Sequence, residues 1–201
     1  MTTGLSATGA RSGDAAKTPL DQVRAARPGD IVRIGPQDRP GSAVVAAVDD
    51  DGRCGQILRC AAAEAHRRSL PLRVVHVWGA RPGARGGARM ADADRLLTCS
   101  LYDHLPADVA AEAERAILHD DDPVRALTAL SAGAALLVVA ARSRAGETAE
   151  PVGRTARGLL LAAVCPLAVV IPAAPARPVP APRGAPTHRS PARPGRIQEE
   201  R

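Results

Sequence analysis

Phenylalanine is absent from this sequence, and tryptophan and tyrosine occur once each, as Trp78 and Tyr102. A core must therefore be packed from Val, Leu, Ile and Ala. Nothing interleaves aromatic rings with basic side chains, which argues against a dedicated nucleic-acid surface. Lysine also occurs once, at Lys17. The surplus of Ala, Arg, Gly and Pro looks like a GC-rich coding preference and carries no functional weight.

Cysteine is scarce. Cys54, Cys60, Cys99 and Cys165 form no CxxC pair, and the histidines do not cluster with them at zinc spacing. The expectation is small buried thiols in a reducing cytosol. Residues 1–17 are polar and contain no apolar signal core. The longest uncharged run, residues 158–176, is broken by Pro166 and Pro172 and is too interrupted to span a bilayer. These features predict a cytoplasmic protein with no membrane partner. No GxSxG elbow, no GxxxxGK[ST] loop and no pairing of nucleophile with base is present, so no enzymatic activity is expected.

The formal net charge is +6, and its location matters more than its size. Residues 43–172 carry fifteen arginines against fifteen carboxylates, whereas residues 1–42 hold a surplus of +2 and residues 173–201 a surplus of +4. The middle of the chain is not a basic domain.

The middle also carries the regular patterns. Residues 43–48 are a continuous apolar run, as expected of a strand buried on both faces of a parallel sheet. A helical pattern follows over 53–68, with Ile57, Cys60, Ala61 and Ala65 on one face, and then a second strand over 72–78. Residues 79–88 read as a Gly/Arg/Pro linker and 90–105 as a helix, while 109–118 fit either a strand or a continued helix. Asp122-Pro123 opens a short helix with an acidic N-cap and proline in the first turn. A strand over 134–140, a polar loop, a helix over 153–164 and a last strand over 167–171 complete the alternation. This order predicts a parallel sheet with helices on both faces. Residues 1–42 are expected to be mostly a disordered arm, with 30–35 as a short candidate strand. Residues 173–201 are expected to be a disordered Pro/Arg tail able to dock on a protein partner.

Several of these segments, taken in order, resemble the universal stress protein (UspA) family over residues 43–172. They are Val48-Asp49 after the first strand, the strand from Leu72 to Trp78, Asp122-Pro123, and Cys165-Pro-Leu-Ala-Val-Val170 near the end. The resemblance implies a Rossmann-like α/β fold with an open five-stranded parallel sheet of order 3-2-1-4-5. It also implies a homodimer formed through the last strand, Leu167–Ile171.

Nucleotide-binding members of that family carry a loop G-x2-G-x9-G-[S/T] after the fourth strand. The spacing survives here with different residues: Ala140 stands at the first glycine, Ser143 at the second, Gly153 at the third and Arg154 at the Ser/Thr. The family's other contacts fall on Asp49, near ribose and phosphates, and on Val77, against adenine. Ala140 adds a methyl where backbone must approach a ligand, and Ser143 would be strained by roughly 1 kcal/mol if the loop demands positive φ. Arg142, Arg144, Arg154 and Arg157 cluster on the same loop, and arginine is a good phosphate partner. Two expectations follow. In the first, this is a non-catalytic stress-response domain acting by dimerisation and partner contact, with nucleotide binding weakened or lost and no cofactor. In the second, it is a sensor holding ATP with Mg²⁺ through Asp49, Val77, Gly153 and the loop arginines. The triplets Asp49-Asp50-Asp51 and Asp120-Asp121-Asp122 are not expected to bind metal alone, although the first lies where a nucleotide's Mg²⁺ would sit.

Overall fold

The computed structural model describes residues 17–49, 53–79, 90–142 and 152–173. The order of elements is α1 (Pro19–Ala25), β1 (Ile31–Ile34), β2 (Ala43–Ala47), α2 (Cys54–Arg68), β3 (Leu72–Trp78), α3 (Met90–His104), α4 (Ala107–Glu112), β4 (Glu114–His119), α5 (Pro123–Ser131), β5 (Ala134–Ala140), α6 (Arg154–Ala162) and β6 (Leu167–Val170). The expected linker beyond Gly79 and the Pro/Arg tail beyond Ala173 lie outside the described residues.

Strands β6, β5, β2, β3 and β4 run parallel in that spatial order, which is the five-stranded arrangement expected. Their apolar runs are long enough to face helices on both sides. Side chains alternate across the sheet. Val44, Ala46, Leu136 and Val138 pack with Ile57, Leu58, Leu97 and Leu101 on one face. Val45, Val75, Leu137 and Val139 pack with Val23, Leu127, Ala156 and Leu159 on the other. Fully burying each such side chain contributes about 1.5–3 kcal/mol.

The helices begin and end where the sequence supplies caps. The Asp122 carboxylate accepts from the backbone N–H of Val124 at 3.1 Å, with Pro123 in the first turn of α5. Helix α2 stops at Ser69, which takes a left-handed conformation with φ of 53°, and its last turn is basic, as the helix dipole favours. The ambiguous stretch 109–118 holds a short helix followed by a strand. Helix α4 ends at Glu112, and β4 starts two residues later. Three cysteines are buried, but Cys99 is exposed on α3, contrary to the expectation of four buried thiols.

Two further expectations are corrected at the N-terminal side. Residues 17–42 are not simply an arm. Thr18 caps α1, and Val23 enters the core beneath it at 3 % exposure. After a turn at Gly29, β1 adds a sixth strand, antiparallel to β6, pairing Ile31 with Val170 and Ile34 with Leu167. Hydrogen bonds from Gly29 N–H to the Ile171 carbonyl (2.8 Å) and from Ile171 N–H to the Asp30 carbonyl (2.9 Å) extend the pairing. Strand β6 is therefore bonded to β5 on one side and to β1 on the other. The expected homodimer contact through Leu167–Ile171 has no free edge to use. The opposite edge strand, β4, presents Glu114 and Arg115, charges that discourage edge pairing. Among the described residues, no helix is long and apolar enough to cross a membrane.

Candidate functional site

The carboxyl ends of β2, β3 and β5 open into one cleft, at the crevice where strand order reverses in such sheets. Strand β2 delivers Val48 and Asp49, β3 delivers Val75 and Val77, and β5 delivers Val139 and Ala140. From above come Pro123 and Leu127 of α5 and the start of α6, with Gly153, Thr155 and Ala156. The end of β2 is held in place from two sides. The Val48 N–H donates to the Val75 carbonyl at 2.9 Å. The Val48 carbonyl accepts from Nδ1 of the buried His76 at 3.0 Å, which assigns the proton to that nitrogen. His76 thus positions the β2 terminus.

The loop after β5 is pinched at its base. The Ala141 N–H donates to the Val170 carbonyl (2.8 Å), and the Gly153 N–H donates to the Ala141 carbonyl (2.7 Å). Gly153 is the N-cap residue of α6 and supplies no side-chain acceptor. The first-turn N–H groups of a nine-residue helix therefore sit at the cleft wall with the positive end of the helix dipole.

The structure brings together four of the sequence-predicted site residues, Asp49, Val77, Ala140 and Gly153. Ala140 ends β5, and Ser69 is the one positive-φ non-glycine among the described residues, so the methyl at 140 carries no backbone strain. Arg142 and Arg154 do not line the cleft; Arg154 is exposed on the outer side of α6. Ser143 and Arg144 lie outside the described residues. Sequence reasoning missed Thr155. Strict spacing put Arg154 at the hydroxyl position, but the hydroxyl residue that reaches the cleft is the next one along.

The enclosed space between the described walls is about 130 Å³. Small-molecule pockets usually run to about 300–1,000 Å³, so a nucleotide could only be partly enclosed by these walls. The surroundings offer little other chemistry. Asp120 is engaged by Arg125, whose hydrogen bonds, followed by that of the Asp122 N–H, hold its carboxyl below the usual range. Asp122 is the α5 cap. Among the described residues, no group of three or more His, Cys, Asp or Glu is placed to hold a metal ion. Burial pushes the thiols of Cys60 and Cys165 up, which makes them poor nucleophiles.

A model of the universal stress protein family matches residues 42–170. No curated protein matches the chain. Among solved structures, a universal stress protein from Archaeoglobus fulgidus is 26% identical, with 63% of this chain and 90% of that one covered and a TM-score of 0.48. The universal stress protein from Archaeoglobus fulgidus in complex with dAMP is 27% identical, covering 64% and 96%, again with a TM-score of 0.48. A functionally unknown protein from Pseudomonas aeruginosa PAO1 is 17% identical, covering 77% of this chain and 57% of that one, with a TM-score of 0.52, and shows the shared fold.

Proposed function

The chain belongs to the universal stress protein family, and we propose that it is a cytoplasmic, non-catalytic stress-response domain whose carboxyl-edge cleft takes a nucleotide with reduced affinity. One observation carries this reading: Asp49, Val77, Ala140, Gly153 and Thr155, from four separate segments, converge on one cleft at a helix start. These residues fit such a ligand. Val77 and the neighbouring Val75 and Val139 suit the faces of a flat base. The uncapped start of α6 and the Thr155 hydroxyl suit phosphate oxygens. Asp49 suits ribose hydroxyls or the Mg²⁺ that accompanies ATP. Mg²⁺, when bound, would neutralise charge on the phosphates.

The reduced affinity follows from the same geometry. Ala140, which lines the cleft, adds a methyl group where a glycine would leave room. Free thiols, with three of the four buried, agree with a reducing compartment. Calorimetry with ATP and Mg²⁺ tests the reading. The expected dissociation constant is on the order of 100 µM, weakened about tenfold or more by Asp49→Ala. Absence of heat at millimolar ATP would sink the nucleotide reading. The domain would then act through protein contacts alone.

A further inference from the structure

The opposite end of the sheet carries a second concavity that the nucleotide reading does not use. The segment from β1 to β2 turns at Gly35, with φ of 83°, and then lies across the amino ends of the strands. Gly41 allows this path, because a Cβ there would meet the backbone of Ala134 and Ala135. Ser42 ties the segment down, its N–H donating to the Gly133 carbonyl at 2.9 Å and its hydroxyl to the same oxygen at 3.1 Å. Facing it is the last turn of α2. Between them runs an open groove of about 460 Å³, lined by Gln37, Arg39, Gly41, Arg67, Arg68 and Ala135, with Asp38 also on its wall.

The charge of this groove is not balanced. Beneath it, the buried Glu64 carboxylate accepts hydrogen bonds from Arg33 (2.8 Å), Arg67 and Arg68 (3.2 Å). Burial alone would raise its pKa, but the three guanidiniums hold it down at about 2. Three positive charges therefore share one negative charge, and Arg39 and Asp38 add one of each sign. The Arg39 guanidinium lies within electrostatic reach of Cys165 but makes no ion pair or hydrogen bond among the described residues.

Two residues that line the groove each carry a buried polar atom with no partner. The Arg68 side chain is only 10% exposed. Its Nε serves Glu64 and its Nη1 reaches the Ala135 carbonyl at 3.5 Å, but its buried Nη2 has no hydrogen-bond partner. Gln37 donates through Nε2 to the Gly35 carbonyl at 2.9 Å, which leaves its buried Oε1 without a donor. A buried donor calls for an acceptor, and a buried acceptor for a donor.

We propose that this groove is a second ligand site, for a small phosphate monoester that also carries a hydroxyl. The phosphate oxygens pair with Arg39 and Arg67; Arg68 Nη2 and Gln37 Oε1, which have no exposed surface as the groove stands, turn towards the ligand to bond its phosphate and its hydroxyl respectively. Guanidinium groups recognise phosphate by charge and by paired N–H donors. The surplus of positive charge makes an anion a better occupant than water alone.

The test is a heteronuclear NMR titration of the full chain with inorganic phosphate and, separately, with glycerol 3-phosphate. The expected result is movement of amides within 37–41 and 67–70, with the organic phosphate binding about fivefold or more tightly because it also satisfies Gln37. Arg39→Ala should weaken both ligands about tenfold without unfolding the chain, since Arg39 lies outside the Glu64 network. Gln37→Ala should remove only the advantage of glycerol 3-phosphate. The proposal is overturned if these amides do not move at about 10 mM phosphate, or if Arg39→Ala leaves the titration unchanged. Equal binding of the two probes would overturn the hydroxyl requirement.

Discussion

At the carboxyl end of β2, β3 and β5, the cleft has Val75, Val77 and Val139 in its walls, and its polarity comes from one carboxylate, one hydroxyl and a helix start. At the amino end of the sheet, three arginines crowd a wider groove with a buried carboxylate beneath them. The carboxyl-end cleft is built by the parallel sheet itself. The amino-end groove exists only because the chain between β1 and β2 crosses there, and the same hook seals β6 against β1. One N-terminal addition thus removes an edge that could pair with a second subunit and adds a charged surface at the far end of the strands.

The largest effect should come from taking the hook away. Deleting residues 1–41 would bare β6 and unroof the groove together. The full chain is expected to be monomeric by light scattering and the truncated one to dimerise or aggregate, because an apolar strand edge recruits another strand. A truncated chain that stays monomeric would break the link between the hook and the edge.

Next in size is Glu64. Replacing it with alanine leaves three guanidiniums without their shared partner, and unfolding in urea should show a loss of about 3–5 kcal/mol. Acid sharpens the point. The folded-state pKa of about 2 lies below the ordinary 4.5, so the stabilisation is fully present above about pH 4.5 and is lost as pH falls towards 2. A lowering of that size is worth about 3 kcal/mol. The wild type should therefore lose stability faster over this window than Glu64→Ala. Parallel pH profiles would contradict the network at the amino end.

Smaller effects belong to the carboxyl end. Thr155→Val should weaken ATP about tenfold and change stability by less than about 0.5 kcal/mol, since the residue is only half-buried. Ala140→Gly should strengthen ATP by no more than about threefold, because Ala140 already lies in an unstrained extended backbone. A much larger gain would restore the importance of the missing glycine.

The parallel sheet was legible because each of its inner strands is a short apolar run between polar turns, and such runs have few other stable places. The nucleotide-like cleft was partly legible for the same reason, since Asp49, Val77 and Gly153 follow strand ends or precede a helix. Thr155 was not, because counting residues along a loop cannot say which side chain of a helix start turns inward. Strand β1 was legible only as a short candidate over 30–35, which the structure bears out at Ile31–Ile34: Ile31, Val32 and Ile34 around Arg33 make a weak pattern whose worth comes from pairing with Val170, far away in the chain. Helix α1 did carry a local signal, with Thr18 as N-cap, Pro19 in the first turn and Asp21 near the N-terminus. The basic groove had none, since Gln37, Arg39, Arg68 and Ala135 meet only once the sheet has formed.

The central claim, that a nucleotide belongs at the carboxyl end and not at the basic groove, is open to one direct measurement. Amide hydrogen exchange on the full chain should be compared with and without ATP and Mg²⁺. Slowed exchange at Arg154–Ala156 and around Asp49, with residues 37–41 unchanged, is the predicted result. Unchanged exchange at Arg154–Ala156, or protection confined to residues 37–41, would contradict it.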